Sequence, residues 1–423
     1  MDPYDTLGRW IDAHHREQVE FLRQIVRVPT DMPPGDNAPA AETAAALLTS
    51  LGFTVERHPV PSEFLRSYGM QSVTNLIVRE RFGDGGPTIA LNAHGDVVPP
   101  GEGWTKPPYD GVIENGRMYA RGVAVSKSDI ATYAYALAAL RALASVGVPF
   151  RGCVELHFTY DEEFGGLAGP QFLLERKLTR PDFAVAASFS YAVVTAHNGC
   201  LQLEVTIHGK SGHGAMPETG RDAFRAGTAV LKAIYAEADA LKATKSSVAG
   251  IDHPTMIVGL MNGGINTNVV PDRLTLKLDR RMTPEEDPAE VEAHLHGLIA
   301  QTATRFDGIR VDIKRLLLAK ALHPLPGHER LVAAIQRHGY RVFGVEIPAV
   351  GVPLYSDARL YGEHGVPIVL YGAGPRTIAE SNAKRPDENL QLEDLRRATH
   401  VVACTVHDLL ADQLGSTEPA RLK

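Results

Sequence analysis

Two short runs of strand character in the first half of the chain, one apolar and one of mixed apolar content, each stop at side chains that hold protons or cations. The run Thr88–Leu91 has strand character and leads to His94 and Asp96. The run Gly152–Thr159 leads to Asp161, Glu162 and Glu163. A histidine and a carboxylate at a strand end are a common way to hold a metal, the carboxylate orienting the ring or a second ligand. Taken alone, His-x-Asp is as well explained by a structural histidine beside a surface aspartate. Adjacent carboxylates repel unless a cation or a shared proton relieves them. A solvated acidic turn is the plain alternative there.

Around these runs the apolar spacing alternates between the helical and the extended period. Helices are expected at 3–28, 38–51 and 129–146, and strands at 53–57, 72–78, 88–91 and 152–159. That order predicts an α/β layer with buried strands. From Gly199 the pattern changes. Strands are expected at 201–207, 255–260 and 274–278, with helices at 221–241 and 288–306. These fit a separate α+β sandwich; the resemblance described below implies that it spans 199–316 and is inserted into a first domain of 1–198 and 317–423. The chain returns with a helix at 329–342, a strand at 368–371, the glycine loop Gly372-Ala373-Gly374 and a closing helix at 391–410. Backbone N–H groups of a tight glycine loop can hold an anion, so Gly372 is a candidate substrate contact.

Composition narrows the partners. A net charge of −7 argues against a nucleic-acid surface. No apolar run approaches the roughly 18 residues of a membrane span. Cys153, Cys200 and Cys404 are scattered without metal spacing, which fits a reducing compartment. With an acidic N-terminus, the expectation is a cytoplasmic protein with no membrane or nucleic-acid partner.

The longer motifs carry a resemblance. His94-Gly-Asp96-Val-Val-Pro, the Gly103-Trp104 pair, Gly116-Arg117-Met118-Tyr119 and Arg121-Gly122 follow in order. Further on come Asp161-Glu162-Glu163-Phe-Gly-Gly, Gly209-Lys210-Ser-Gly-His213-Gly-Ala-Met-Pro217, Asn266-Thr-Asn268, Asp279-Arg-Arg281 and Ser356-Asp357-Ala-Arg359. Together they resemble the M20 family of zinc peptidases and aminoacylases along nearly the whole chain. The resemblance implies a zinc-peptidase-like α/β/α catalytic domain with an inserted dimerisation, or lid, domain, and a homodimer. It implies Glu162 as general base, Asp96 as its orienting neighbour and His213 as oxyanion donor. It gives His94 and Glu163 to the metal, and Asn268 and Arg281 to a substrate carboxylate. A guanidinium fork suits a carboxylate because it offers two parallel charged bonds.

The chain departs from that pattern at three of five ligand positions. Val125 stands where the family has the bridging aspartate, Ser188 where it has an acid, and Lys384 where it has the last histidine. A catalytic zinc normally needs about three protein ligands, so a standard dinuclear site is not expected. Two repairs follow. One is a single divalent ion, zinc or manganese, on His94 and Glu163 with Asp129 as replacement; His197 or Asn382 are further candidates. The other is no metal, with Glu162 and Lys384 moving protons if the lysine's pKa falls. The expected function is hydrolysis of a C–N bond (an amide, an N-acyl amino acid or an amino group) in a small carboxylate-bearing substrate, at a remodelled site that holds a single metal ion. The alternatives are a metal-independent racemase, isomerase or lyase, and a non-catalytic binding protein.

Overall fold

The structure, a computed structural model, describes residues 2–411. The chain forms two compact units. One takes the residues up to Thr195, then Pro324–Ala349 and those from Ser356 onward; the other takes Ala196–His323 and Val350–Tyr355. The second unit is thus wider than the expected 199–316 and includes a short return segment.

The first unit is built on a mixed sheet. Its strands run in the order Val55–Pro59, Thr74–Phe82, Gly152–Thr159, Thr88–His94, Phe183–Ala186 and Ile368–Leu370. Val193–His197 and Ala349–Val352 complete it where the chain passes to and from the second unit. The four central strands, from Gly152–Thr159 to Ile368–Leu370, are mutually parallel. Buried parallel strands read as continuous apolar runs, and every residue of Gly152–Thr159 is buried.

Helices Pro3–Val26, Lys127–Ser145, His328–Phe343 and Leu392–Ala411 pack with the sheet into one core. Lys127–Ser145 is alanine-rich and buried almost all round. Small side chains let a helix approach its neighbours on every face.

The second unit has a four-stranded antiparallel sheet ordered Thr255–Gly263, Arg273–Met282, Gly199–His208, Arg310–Ala319. Leu201, Leu203, Val205 and Ile207 alternate inward and share a core with helices Ala223–Leu241 and Pro288–Ala303. Asp222 and Asp287 cap those helices by accepting two N–H bonds each. The edge strand Thr255–Gly263 leaves Ile257, Leu260 and Met261 exposed.

Candidate active site

The four parallel strands end on one side of the sheet, where such folds place their ligands. In register, His94 pairs with Thr159, and Asn92 pairs with Ala186. The ladder therefore sets His94 beside the turn that follows Thr159. Hydrogen-bonded strands fix this spacing whatever the side chains are.

Asp96 is the hinge pin of the site. It is fully buried. Its Oδ1 lies 3.3 Å from Nδ1 of His94, which is also 3.1 Å from the Asp96 carbonyl oxygen. Its Oδ2 accepts the amide N–H of Glu163 at 2.9 Å. One carboxylate thus orients the ring and anchors the acidic turn. The other ring nitrogen, Nε2, faces Oε2 of Glu162 at 3.9 Å. That gap is too long for a direct hydrogen bond and suits one oxygen atom held by both groups.

The turn Glu162–Phe164 is a single tight helical turn closed by the Asp161 carbonyl, which accepts from Phe164 and Gly166. Gly166 has φ +76°, and a Cβ there would lie 2.2 Å from Oδ1 of Asp357. Asp161 and Asp357 lie buried near Glu162. No site role is assigned to either from the sequence. Asp161 stands in the acidic run, and Asp357 stands in the Ser-Asp-Ala-Arg motif without a charge pattern to mark it.

Crowding of acids shifts their protons. Burial pushes Glu162 up to about 7; Glu163 and Asp96 add to the rise, and the charges of His94 and Lys384 oppose it. Burial and the charge of Asp96 push Asp161 up to about 8. Burial and the Asp161 charge hold Asp357 well above the carboxylate range. Burial works against a charged His94 ring, but the Asp96 hydrogen bond and the charges of Glu162, Asp96 and Glu163 outweigh it, to about 10.

Lys384 meets this cluster. Its Nζ lies 2.7 Å from Oε2 of Glu163. Burial by itself would lower its pKa, but Glu163 and Glu162 raise it above the ordinary lysine value. The expected fall toward acid–base work is therefore reversed, because two carboxylates face the ammonium.

Two further expectations are corrected. Asp129, on the first turn of Lys127–Ser145, is buried and forms no three-ligand group with His94 and Glu163 among the described residues. Its Oδ1 accepts the Ala373 N–H at 2.6 Å. Burial pushes this carboxyl up to about 7. The glycine loop does offer an N–H to a carboxyl group, but the group is this side chain. The Gly372 and Gly374 amides donate to the carbonyls of Phe189 and Ser188, so Gly372 has no N–H to offer a substrate.

The remaining candidates belong to the second unit. His213 and Asn268 stand on neighbouring loops: His213 pairs with Val269, and the Asn268 carbonyl accepts from Gly214. Arg281 is committed within its unit. Nε and Nη2 pair with Asp279 at 2.7 and 3.3 Å, and the guanidinium lies over Tyr355 at 5.2 Å. His197 is buried, with Nδ1 2.9 Å from the Asn198 carbonyl oxygen.

A parallel-strand scaffold that ends in a histidine backed by Asp96 and an acidic turn belongs here to a hydrolase of C–N bonds. The chain matches the model of peptidase family M20/M25/M40 over residues 90–408, and it belongs to that family. It is 29% identical to the acetylornithine deacetylase of Proteus mirabilis over 333 residues, 75% of this chain and 80% of that one. It is 26% identical to the succinyl-diaminopimelate desuccinylase of a Nitratiruptor species over 357 residues, 78% and 90% of the two chains. The fold is similar to the M20 family metallo-carboxypeptidase Sso-CP2 from Sulfolobus solfataricus. The TM-score is 0.73 at 18% identity, covering 93% of this chain and 98% of that one.

The family is metal-dependent. The residues here do not fit the family's paired ions. Among the described residues, no group of three His, Cys, Asp or Glu side chains is placed to hold a metal. Of the five ligand positions, Val125 and Ser188 offer no charge, and the Lys384 ammonium lies against the surviving Glu163.

Proposed function

We propose that this chain hydrolyses the C–N bond of a small, carboxylate-bearing N-acyl amino acid or dipeptide through its own side chains. The observation that carries the reading is the 3.9 Å gap between His94 Nε2 and Glu162 Oε2, with Asp96 beside the ring and accepting the amide of the neighbouring Glu163. A water in that gap gives a proton to Glu162 while its oxygen adds to the substrate carbonyl carbon. The charge forming on the carbonyl oxygen is met by His94 acting as an N–H donor. Collapse breaks the C–N bond, and the proton on Glu162 passes to the departing nitrogen. The products are a carboxylic acid and an amine. His213, Asn268 and Arg281 remain candidates for substrate contact.

Relatives named for deacetylation and desuccinylation support this choice of bond. Proton transfer at an α-carbon by Glu162 and Lys384 is less favoured, because Lys384 is paired and kept charged. The reading includes a homodimer. Ile257 and Met261, 57% and 60% exposed, lie on the edge strand Thr255–Gly263, whose unpaired backbone suits a second copy of the same strand. A panel of N-acetyl and N-succinyl amino acids and dipeptides, assayed by amine release, tests the reaction. No turnover of any member, with or without added zinc or manganese, sinks it.

A further inference from the structure

Building on the C–N hydrolysis reading, we propose that Lys384 is a built-in cation. Its ammonium does the electrostatic work of the missing ions, neutralising Glu163 and drawing on the substrate's carbonyl oxygen, so that this chain acts without a bound metal.

Three observations carry this. The first is contact: Nζ lies 2.7 Å from Glu163 Oε2. An ammonium has three N–H donors, and Glu163 takes one. The side chain is 62% exposed, so donors remain on its open side.

The second is delivery. Asn382, Lys384 and Asp387 all have left-handed backbones, with φ of +52°, +62° and +55°. Such residues persist only where the surroundings over-determine them, and they gather at working sites. Here the frame is visible. The Asp387 carboxylate accepts from Thr105 N at 2.9 Å, Thr105 Oγ1 at 2.8 Å and Lys106 N at 3.3 Å. Buried Glu388 pairs with Arg121 and accepts from Ala124 N at 3.1 Å and from the Lys384 amide at 3.3 Å. A surface lysine of no consequence needs no such frame.

The third is charge balance. Relative to the family's ligand set, Val125 and Ser188 remove two carboxylates and Lys384 adds one positive charge. That moves the site by three positive charges, against four for two divalent ions. The three replacements together supply the charge of two divalent ions to within one unit, so they belong together.

The test uses the full chain, dialysed against a chelator, in two arms. In the first, zinc or manganese is titrated by calorimetry. The expected result is no saturable site in the wild-type chain and uptake of an ion only after the double substitution V125D/K384H. In the second, kinetics are read on the panel above. Lys384→Met is expected to lose about 100-fold in kcat with KM little moved, the scale of one lost transition-state donor. Lys384→Arg or added ethylammonium is expected to recover part of the loss, which a merely structural lysine would not show. Saturable ion uptake by the wild-type chain, with activity lost on dialysis and restored by the ion, overturns the proposal. So does wild-type kcat in Lys384→Met. If the panel is not turned over at all, the hydrolase reading falls, and the titration still decides the lysine: wild-type ion uptake overturns it, and uptake confined to V125D/K384H supports it.

Discussion

Oδ1 of Asp129 accepts the Ala373 amide at 2.6 Å, across 244 residues of chain. The bond ties the N-terminus of a central helix to the loop after the last parallel strand. It also explains why position 372 is glycine. A Cβ there would lie 1.9 Å from the same oxygen. Gly372→Ala is expected to cost about 3 kcal/mol or more in stability by the overpacking route. Removing the obstruction with Asp129→Ala in the same chain should recover part of that loss. Urea melts of the two single variants and the double variant, compared as a cycle, check the coupling. Additive effects would contradict the contact.

Glu162 and Asp96 should fail differently from residues that only bind. Glu162→Gln keeps the shape and removes the base, so kcat should fall by about 1,000-fold with KM within a few-fold. Asp96→Asn should lower kcat by a comparable factor, because it loosens both the His94 ring and the Glu163 amide. Steady-state kinetics on the substrate found by the panel check both. Full activity in Glu162→Gln rules out its role as base.

Acid stability should depend on a residue within the sheet. Glu155 is buried and accepts from His157 at 2.9 Å, from Arg79 at 2.8 Å and from Thr179. Burial opposes its charge, yet these bonds outweigh that and hold its pKa at about 2, below the ordinary 4.5. A lowered folded pKa means the stabilisation is present above about pH 4.5 and lost as pH falls toward about 2. The shift corresponds to roughly 3 kcal/mol. Glu155→Gln should be less stable at neutral pH and show a flatter decline between those two values. Denaturant melts at a series of pH values measure this; an unchanged slope would count against it.

The exposed edge strand yields a prediction that leaves the catalytic cluster alone. Ile257→Lys with Met261→Lys places two charges on the proposed contact. Light scattering should show the wild-type chain at twice its chain mass and the variant at the chain mass, with circular dichroism unchanged. A monomeric wild-type chain would remove the homodimer from the reading.

Legibility followed burial. The strand Gly152–Thr159 has the ends read from the sequence, because its apolar and β-branched residues give it extended character and a glycine and an acidic turn bound it. Arg310–Ala319 is not among the strands read from the sequence. It is an edge strand whose opening, Arg-Val-Asp-Ile-Lys-Arg, carries as many charges as a loop. Phe183–Ala186 is only four residues long and gives no period to count. In the site, His94, Asp96, Glu162 and Glu163 were legible because each ends a strand or follows one within four residues. Asp357 was not: it joins the cluster through its nearness to Asp161, which is nearly 200 residues away in sequence. The side of Lys384 that matters was equally hidden. A lysine beside one carboxylate and a lysine beside two look alike in a sequence, and here Glu163 and Glu162 together hold the ammonium in its charged form.

The four parallel strands have one more consequence. Their ladder bonds run between backbones, so the ladder holds the loops at its ends without regard to what those loops carry. Val125, Ser188 and Lys384 stand outside the four central strands. The sheet is therefore a socket, and the chemistry is a plug that can be exchanged. An engineer could vary those three positions as a small combinatorial set on this scaffold, leaving the core that folds it untouched.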